Sequence, residues 1–173
     1  MMTTILSAAS EFVKYFQTIW KENNVANFKF GKRSLDILDR VHPDIRAVAL
    51  RAIAISEIDF AVVQGLRTQE EQYKLFGQGR TRAQLRAAGV PERFSQPNLP
   101  VVTKTTKSNH MSGRAIDVAP YVNGKIEWDD NGRKGYWPKI ASAMKTAAHQ
   151  IGVKLVWGGD WKTFVDRPHF ELA

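Results

Sequence analysis

His110 and Asp117 in SNHMSGRAIDVAP, and His169 in DRPHFEL, are two imidazoles and a carboxylate of the kind that hold a divalent cation. A hydrolytic zinc site takes three nitrogen or oxygen donors and leaves a fourth position open. His110 precedes a turn built on Met111, Ser112 and Gly113, and Asp117 falls on the strand that follows, so a turn can fold both side chains toward one point. His169, on the last predicted strand, closes the site from a neighbouring element. Two neutral imidazoles and one carboxylate leave a dication with a net charge of about +1, which lowers the pKa of water at the site toward ~7.

Asp166 lies three residues before His169, with Pro168 stiffening the backbone between them. It is a second carboxylate beside the site that need not be a ligand, the place for a general base. Arg67, whose guanidinium is a fixed fork that stays charged, suits either a developing oxyanion or a substrate carboxylate. Taken singly, these residues have plainer readings: a strand-end salt bridge for Asp117, a structural pair to a loop carboxylate for Arg67. Two histidines and a carboxylate also describe non-haem iron oxygenases, but those place their first two ligands as H-x-D or H-x-E, and here His110 and Asp117 are seven residues apart. His42 and His149 lie on apparent helices without carboxylate neighbours and read as ordinary surface or core histidines.

The elements that must position these groups follow from periodicity. Ile5, Leu6, Ala9, Phe12, Val13, Phe16, Ile19 and Trp20 recur at helical spacing and predict an N-terminal helix docked on the core, with membrane-surface association or a mobile arm as the alternatives. A second helix is expected near Ser34 and a third after Pro43, a proline suited to a first turn. Phe60 to Val63 reads as a strand ended by Gly65, and Thr68 with Glu71 three residues on reads as the capped start of another helix, so Arg67 sits at a strand-to-helix junction. Gly77 to Lys107 is expected to be a long basic loop with a weak helical patch at Arg82 to Ala88. Beyond it come a strand at Arg114 to Val118, a helix at Tyr136 to Gly152, and strands at Lys154 to Trp157 and His169 to Leu172. Glu127, Asp129 and Asp130 read as a solvated turn, with a second cation site as the alternative. The sum is an α+β domain with a small antiparallel sheet flanked by helices, divided into an N-terminal helical extension over 1–27 and a catalytic domain over 28–173.

A chain of 173 residues with 43% hydrophobic and 24% charged residues can bury a core without a metal to hold it, so a bound metal serves chemistry. With no cysteine, disulfides, thiolate sites and cysteine nucleophiles are excluded. The formal charge of +8 and pI near 9.8 call for an anionic partner: nucleic acid, a membrane surface or a wall polymer. No nucleic-acid-binding motif accompanies the charge, so nucleic acid is set aside. The N-terminal segment has no basic n-region and is interrupted by Glu11 and Lys14, which argues against a signal peptide and for folding in the cytoplasm.

The motif S-x-H-x-x-G-x-A-x-D is present as Ser108, His110, Gly113, Ala115 and Asp117, and D-x-x-H-F as Asp166 to Phe170. Together they resemble the zinc metallopeptidases related to D-alanyl-D-alanine carboxypeptidases and dipeptidases. FKFGKRSLDILDRVHPDIRAVALRAI, GLRTQEEQ and WGGDWKTFVDRPHFEL are similar, more closely, to phage endolysins of the L-alanyl-D-glutamate peptidase type, from about Phe28 onward. The resemblance implies a hedgehog/DD-peptidase-like fold, with Zn2+ on His110, Asp117 and His169. It also implies that Asp166 is the catalytic base, that Arg67 contacts substrate or transition state, and that Ser108 contacts substrate. Carboxypeptidase relatives carry E-x-x-H-W-H where Asp166 and Phe170 stand here, a departure that favours the endopeptidase branch. The implied biology is a monomer that cleaves peptidoglycan stem peptides and lyses the host. It would wait in the host cytoplasm until a membrane-permeabilising partner such as a holin admits it to the wall. The alternatives are a D-alanyl-D-alanine-type carboxypeptidase and a zinc-retaining wall-binding module without catalysis.

Overall fold

The computed structural model describes residues 27–173, so the predicted helix over Ile5 to Trp20, and with it nearly all of the 1–27 extension, lies outside the described residues. Helix α1 (Lys32–Leu38) is tied to strand β1 (Phe60–Gln64) by Ser34, whose buried hydroxyl accepts from Val62 N at 3.1 Å and donates to Val62 O at 3.4 Å. Helix α2 (Pro43–Ile55) starts on its proline, and His42 lies just outside it as the cap, its Nδ1 accepting from Asp44 N at 3.2 Å. Ile45, Val48, Ala49, Ala52 and Ile53 then form one buried stripe. Helix α5 (Tyr136–Ile151) packs on α2 and ends at Gly152, whose φ of 78° is the left-handed conformation that terminates helices.

Strands β2 (Ala115–Val122), β3 (Lys125–Ile126), β4 (Leu155–Trp157) and β5 (His169–Leu172) complete a five-stranded, wholly antiparallel sheet in the order β1-β2-β5-β4, with β3 on β2. The expected fold class holds. Alternation sorts the two faces: Ile116, Val118, Phe170 and Leu172 enter the core shared with α2 and α5, which leaves Asp117, His169 and Glu171 on the other face. The core thus forms the back wall of the site rather than part of it.

The expected loop over Gly77 to Lys107 is in large part structured. Helix α3 (Gln69–Gly77), opened by the anticipated Thr68/Glu71 capping box, is followed by helix α4 (Arg82–Ala87) with its own Thr81/Gln84 box, then a 3-10 turn at Glu92–Phe94. Phe76, Leu85, Val90 and Phe94, with Tyr73 against them, form a second small core. Four apolar residues spread over short elements have no common period, so no pattern announced them. Three hydrogen bonds hold the irregular remainder against this body: Arg80 Nη2 to Thr103 O at 2.9 Å, Gln72 Nε2 to Thr105 O at 2.8 Å and Gln69 Nε2 to Thr106 O at 3.3 Å.

Gly77 is where this second core closes: a Cβ there would overlap the Phe94 carbonyl group. Gly77→Ala is therefore expected to cost roughly 2 kcal/mol and lower Tm by about 6 °C in calorimetry. Asp129 also departs from expectation. It is 2% exposed, its Oδ1 accepting from Lys134 N at 3.1 Å and its carbonyl from Trp137 Nε1 at 2.8 Å, while Glu127 pairs with Lys134. The turn is otherwise exposed, as at Asp130, Asn131 and Arg133, but Asp129 is packed under the start of α5 rather than solvated.

Candidate active site

Register builds the site. Asp117 of β2 faces His169 of β5 directly across the sheet, and Gln64 of β1 stands opposite Asp117 on its other side. His110 comes from a 3-10 turn (Asn109–Ser112) ahead of β2, with Ser108 Oγ accepting from His110 N at 3.4 Å and Gly113 closing the turn at a φ of 68°. Only glycine suits that position, because the backbone of Val41 and His42 lies 3.2 Å from where a Cβ would be and His42 N donates to Gly113 O at 2.9 Å.

These elements bring together the three residues nominated as ligands. His110 Nε2, His169 Nδ1 and Asp117 Oδ1 form a triangle whose three sides are each 3.2 Å. Tetrahedral coordination with bonds near 2.1 Å separates neighbouring donors by roughly 3.4 Å, so the triangle fits. The outer nitrogens decide what fills it. His110 Nδ1 lies 2.8 Å from Gly65 O and His169 Nε2 2.9 Å from Glu171 Oε2, acceptors that require an N–H on each outer nitrogen. In the neutral rings both inner nitrogens then present lone pairs to the carboxylate, an arrangement that a cation satisfies. Among the described residues this is the one group of three that can hold a metal ion.

Charge follows the geometry. Burial alone would raise the Asp117 carboxyl, but hydrogen bonds and charge from His110 and His169 outweigh it and hold that group far below the usual carboxylate range. Burial pushes His169 down, and its bonds to Asp117 and Glu171 more than reverse this, so its pKa rises. Asp166 lies outside the triangle but lines the same groove. Its pKa is raised, first by burial and then by the Asp117 charge, against the pull of His169, His110 and Arg67. Gly158 fixes its place: Asp166 N donates to Gly158 O at 3.0 Å, and a Cβ on Gly158 would stand 2.5 Å from Asp166 O and 3.1 Å from His169 Cβ.

Arg67 sits at the predicted junction, its Nη2 3.5 Å from Asp117 Oδ2 and its Nη1 donating to Gln72 Oε1 at 2.9 Å. Arg67 thereby engages the carboxylate oxygen that the triangle leaves over. Ser108 lines the groove beside it. The groove encloses about 770 Å³ and runs between the segment before His110 and the loop bearing Trp161, Phe164 and Asp166.

Three contributors were not anticipated: Glu171, Gln72 and the Gly65 carbonyl. Glu171 was within reach, since residues two apart on a strand share a face. The other two depend on where α3 and the turn after β1 come to rest. Removing Glu171 leaves the His169 ring free to turn, so Glu171→Ala is expected to weaken metal binding by about 10- to 100-fold in a competition titration with a chromophoric chelator.

A triangle that can hold a metal ion, in a groove that leaves one side open to a substrate, is the kind of site that metal-dependent hydrolases use. More particularly, the sequence profile of the phage L-alanyl-D-glutamate peptidases matches residues 26–89 and 96–172, and the chain belongs to that family. It is 34% identical over 140 residues to the L-alanyl-D-glutamate peptidase of Escherichia phage T5, covering 81% of this chain and 86% of that protein. It is 30% identical over 168 residues to the peptidoglycan L-alanyl-D-glutamate endopeptidase CwlK of Bacillus subtilis, covering 91% and 85%. The crystal structure of Serratia marcescens L-Ala D-Glu endopeptidase ChiX superposes with a TM-score of 0.62 at 32% identity, over 86% of this chain and 92% of that one. The stretch the family profile passes over, 90–95, contains the 3-10 turn that puts Phe94 into the second core.

Proposed function

We propose that this chain is a zinc-dependent endopeptidase that hydrolyses the bond between L-alanine and D-glutamate in peptidoglycan stem peptides. The observation that carries the reading is the 3.2 Å triangle of His110, Asp117 and His169, with both outer imidazole nitrogens engaged, in a groove that also holds Asp166. An all nitrogen and oxygen donor set of two imidazoles and one carboxylate suits zinc. A bound zinc ion supplies Lewis-acid polarisation of the carbonyl and acidifies water at the site.

The chain's own groups divide the remaining work. Asp166 accepts a proton from the water that attacks the L-alanyl carbonyl and returns it to the D-glutamyl nitrogen as the C–N bond breaks. Arg67, although burial works to lower its pKa, remains cationic and faces the developing oxyanion while steadying Asp117. Ser108 meets the peptide next to His110. Residues 1–27 form an extension to a catalytic domain over 28–173, and the enzyme works as a monomer. Because peptidoglycan lies outside the membrane, the proposal includes a permeabilising partner such as a holin and passage from the host cytoplasm to the wall.

The test is mass spectrometry of purified muropeptides incubated with the protein as purified, after chelation, and after zinc is restored. New L-alanine-terminated and D-glutamate-initiated fragments, lost on chelation and regained with zinc, are expected. Release of D-alanine alone would assign the chain to carboxypeptidases, and intact muropeptides would leave a wall-binding role.

A further inference from the structure

Of the three cations that line the groove, Arg67, Lys104 and Lys107, Arg67 is already shared between Asp117 Oδ2 and Gln72 Oε1. Lys104 and Lys107 make no ion pair among the described residues. Lys104 differs from Lys107 in being placed: its Nζ lies 5.2 Å from the centre of the Phe164 ring, which belongs to the opposite wall. The segment that carries Lys104 is itself anchored on both sides, by Arg80 to Thr103 O and by Gln72 to Thr105 O. An ammonium held across a groove by an aromatic face, with its other sides open, is a counter-charge awaiting an anion.

The substrate class offers one anion at the right place. In a stem peptide D-glutamate continues the chain through its side-chain carboxyl, so its α-carboxyl group is free and sits on the carbon bonded to the scissile nitrogen. Whatever meets that carboxylate must line the same groove as His110, His169 and Asp166. We propose that Lys104, held over Phe164, is the recognition site for the free α-carboxylate of the D-glutamyl residue, and that it makes the enzyme discriminate between stem peptides in which this group is a carboxylate and those in which it is an amide. This inference rests on the endopeptidase reading above. It separates two roles that the sequence left together on Arg67, assigning the oxyanion to Arg67 and the substrate carboxylate to Lys104.

The experiment uses the full chain loaded with zinc and two synthetic stem peptides that differ only in a D-glutamyl α-carboxylate or α-carboxamide. KM and kcat are measured for the wild type, Lys104→Met, Lys104→Arg and Lys107→Met. The wild type is expected to show a KM about tenfold lower for the carboxylate peptide, as one charge-assisted contact provides. In Lys104→Met the ratio of the two KM values collapses to about one, while Lys104→Arg keeps most of it. A ratio that survives in Lys104→Met, a loss that falls equally on both peptides, or a ratio erased by Lys107→Met would overturn the assignment. Cleavage of neither peptide by the wild type would instead sink the endopeptidase reading itself.

Discussion

With Asp166 as the proposed general base, Asp166→Asn is expected to lower turnover of a stem peptide about a thousandfold while added zinc still binds at one ion per chain, because a general base contributes roughly 10²- to 10⁴-fold and Asp166 lies outside the His110, Asp117 and His169 triangle. The amide keeps the size and the backbone anchor of the aspartate, whose N–H bonds to Gly158 O, so the loop that also delivers His169 stays in place. Paired measurements of metal content and kcat separate this outcome from a positional one: a variant that lost both would make Asp166 a support for His169. The pH profile adds a sign. A base must be deprotonated to act, so kcat/KM falls as pH drops through the pKa of Asp166, and this acid limb disappears in Asp166→Asn. Burial and the Asp117 charge raise that pKa in the protein as described, whereas a bound cation draws it back down.

The second large effect is expected on removal of the proposed zinc. Chelation, or His110→Ala, is expected to reduce turnover to background with little change in far-UV circular dichroism, since the long helices α2 and α5 and the main core lie on the other face of the sheet. Stability responds all the same. A ligand that binds only the folded state stabilises it by about 2.7 kcal/mol at a hundredfold excess over its Kd, so zinc raises the Tm of the wild type and not that of His110→Ala. Protons compete for the site. In the metal-free protein His169 has a raised pKa, so it is charged at pH values where a free imidazole is already neutral, and zinc must displace that proton. Affinity therefore rises with pH until His169 is neutral. An unaltered Tm on adding zinc to the wild type would count against the assigned ligands.

The grouping of His110, Asp117 and His169 was legible because each stands in a short local pattern: a histidine before a turn with Gly113, a carboxylate on the next strand, a histidine after Pro168. Strands β1, β2, β4 and β5 and the helices α2 and α5 were legible from their apolar spacing and bounding turns, whereas β3, two residues long, offers no pattern. What stayed hidden depends on contacts between elements far apart in sequence. The second core gathers Phe76, Leu85, Val90 and Phe94 from α3, α4 and the turns around them, and Gln72 reaches Thr105 across 33 positions. Asp129 illustrates the converse error, in which a charged residue among charged neighbours suggests solvent and the indole of Trp137 brings it inside. Arg67 was located correctly at its junction, but its engagement with Asp117 is a property of the assembled site.

Strand β5 is the last of the sheet in sequence, yet it lies inside, between β2 and β4. The contact between His169 and Asp117 spans 52 positions, and the strand that makes it also inserts Phe170 into the main core. A β5 that arrives late must enter a slot already framed by its neighbours, a non-local step of the kind that limits folding rates. In refolding, enzymatic activity should thus return with the slowest cooperative phase and never ahead of it, and a chain cleaved within the 158–168 loop should lose hydrolysis and cohesion in one event.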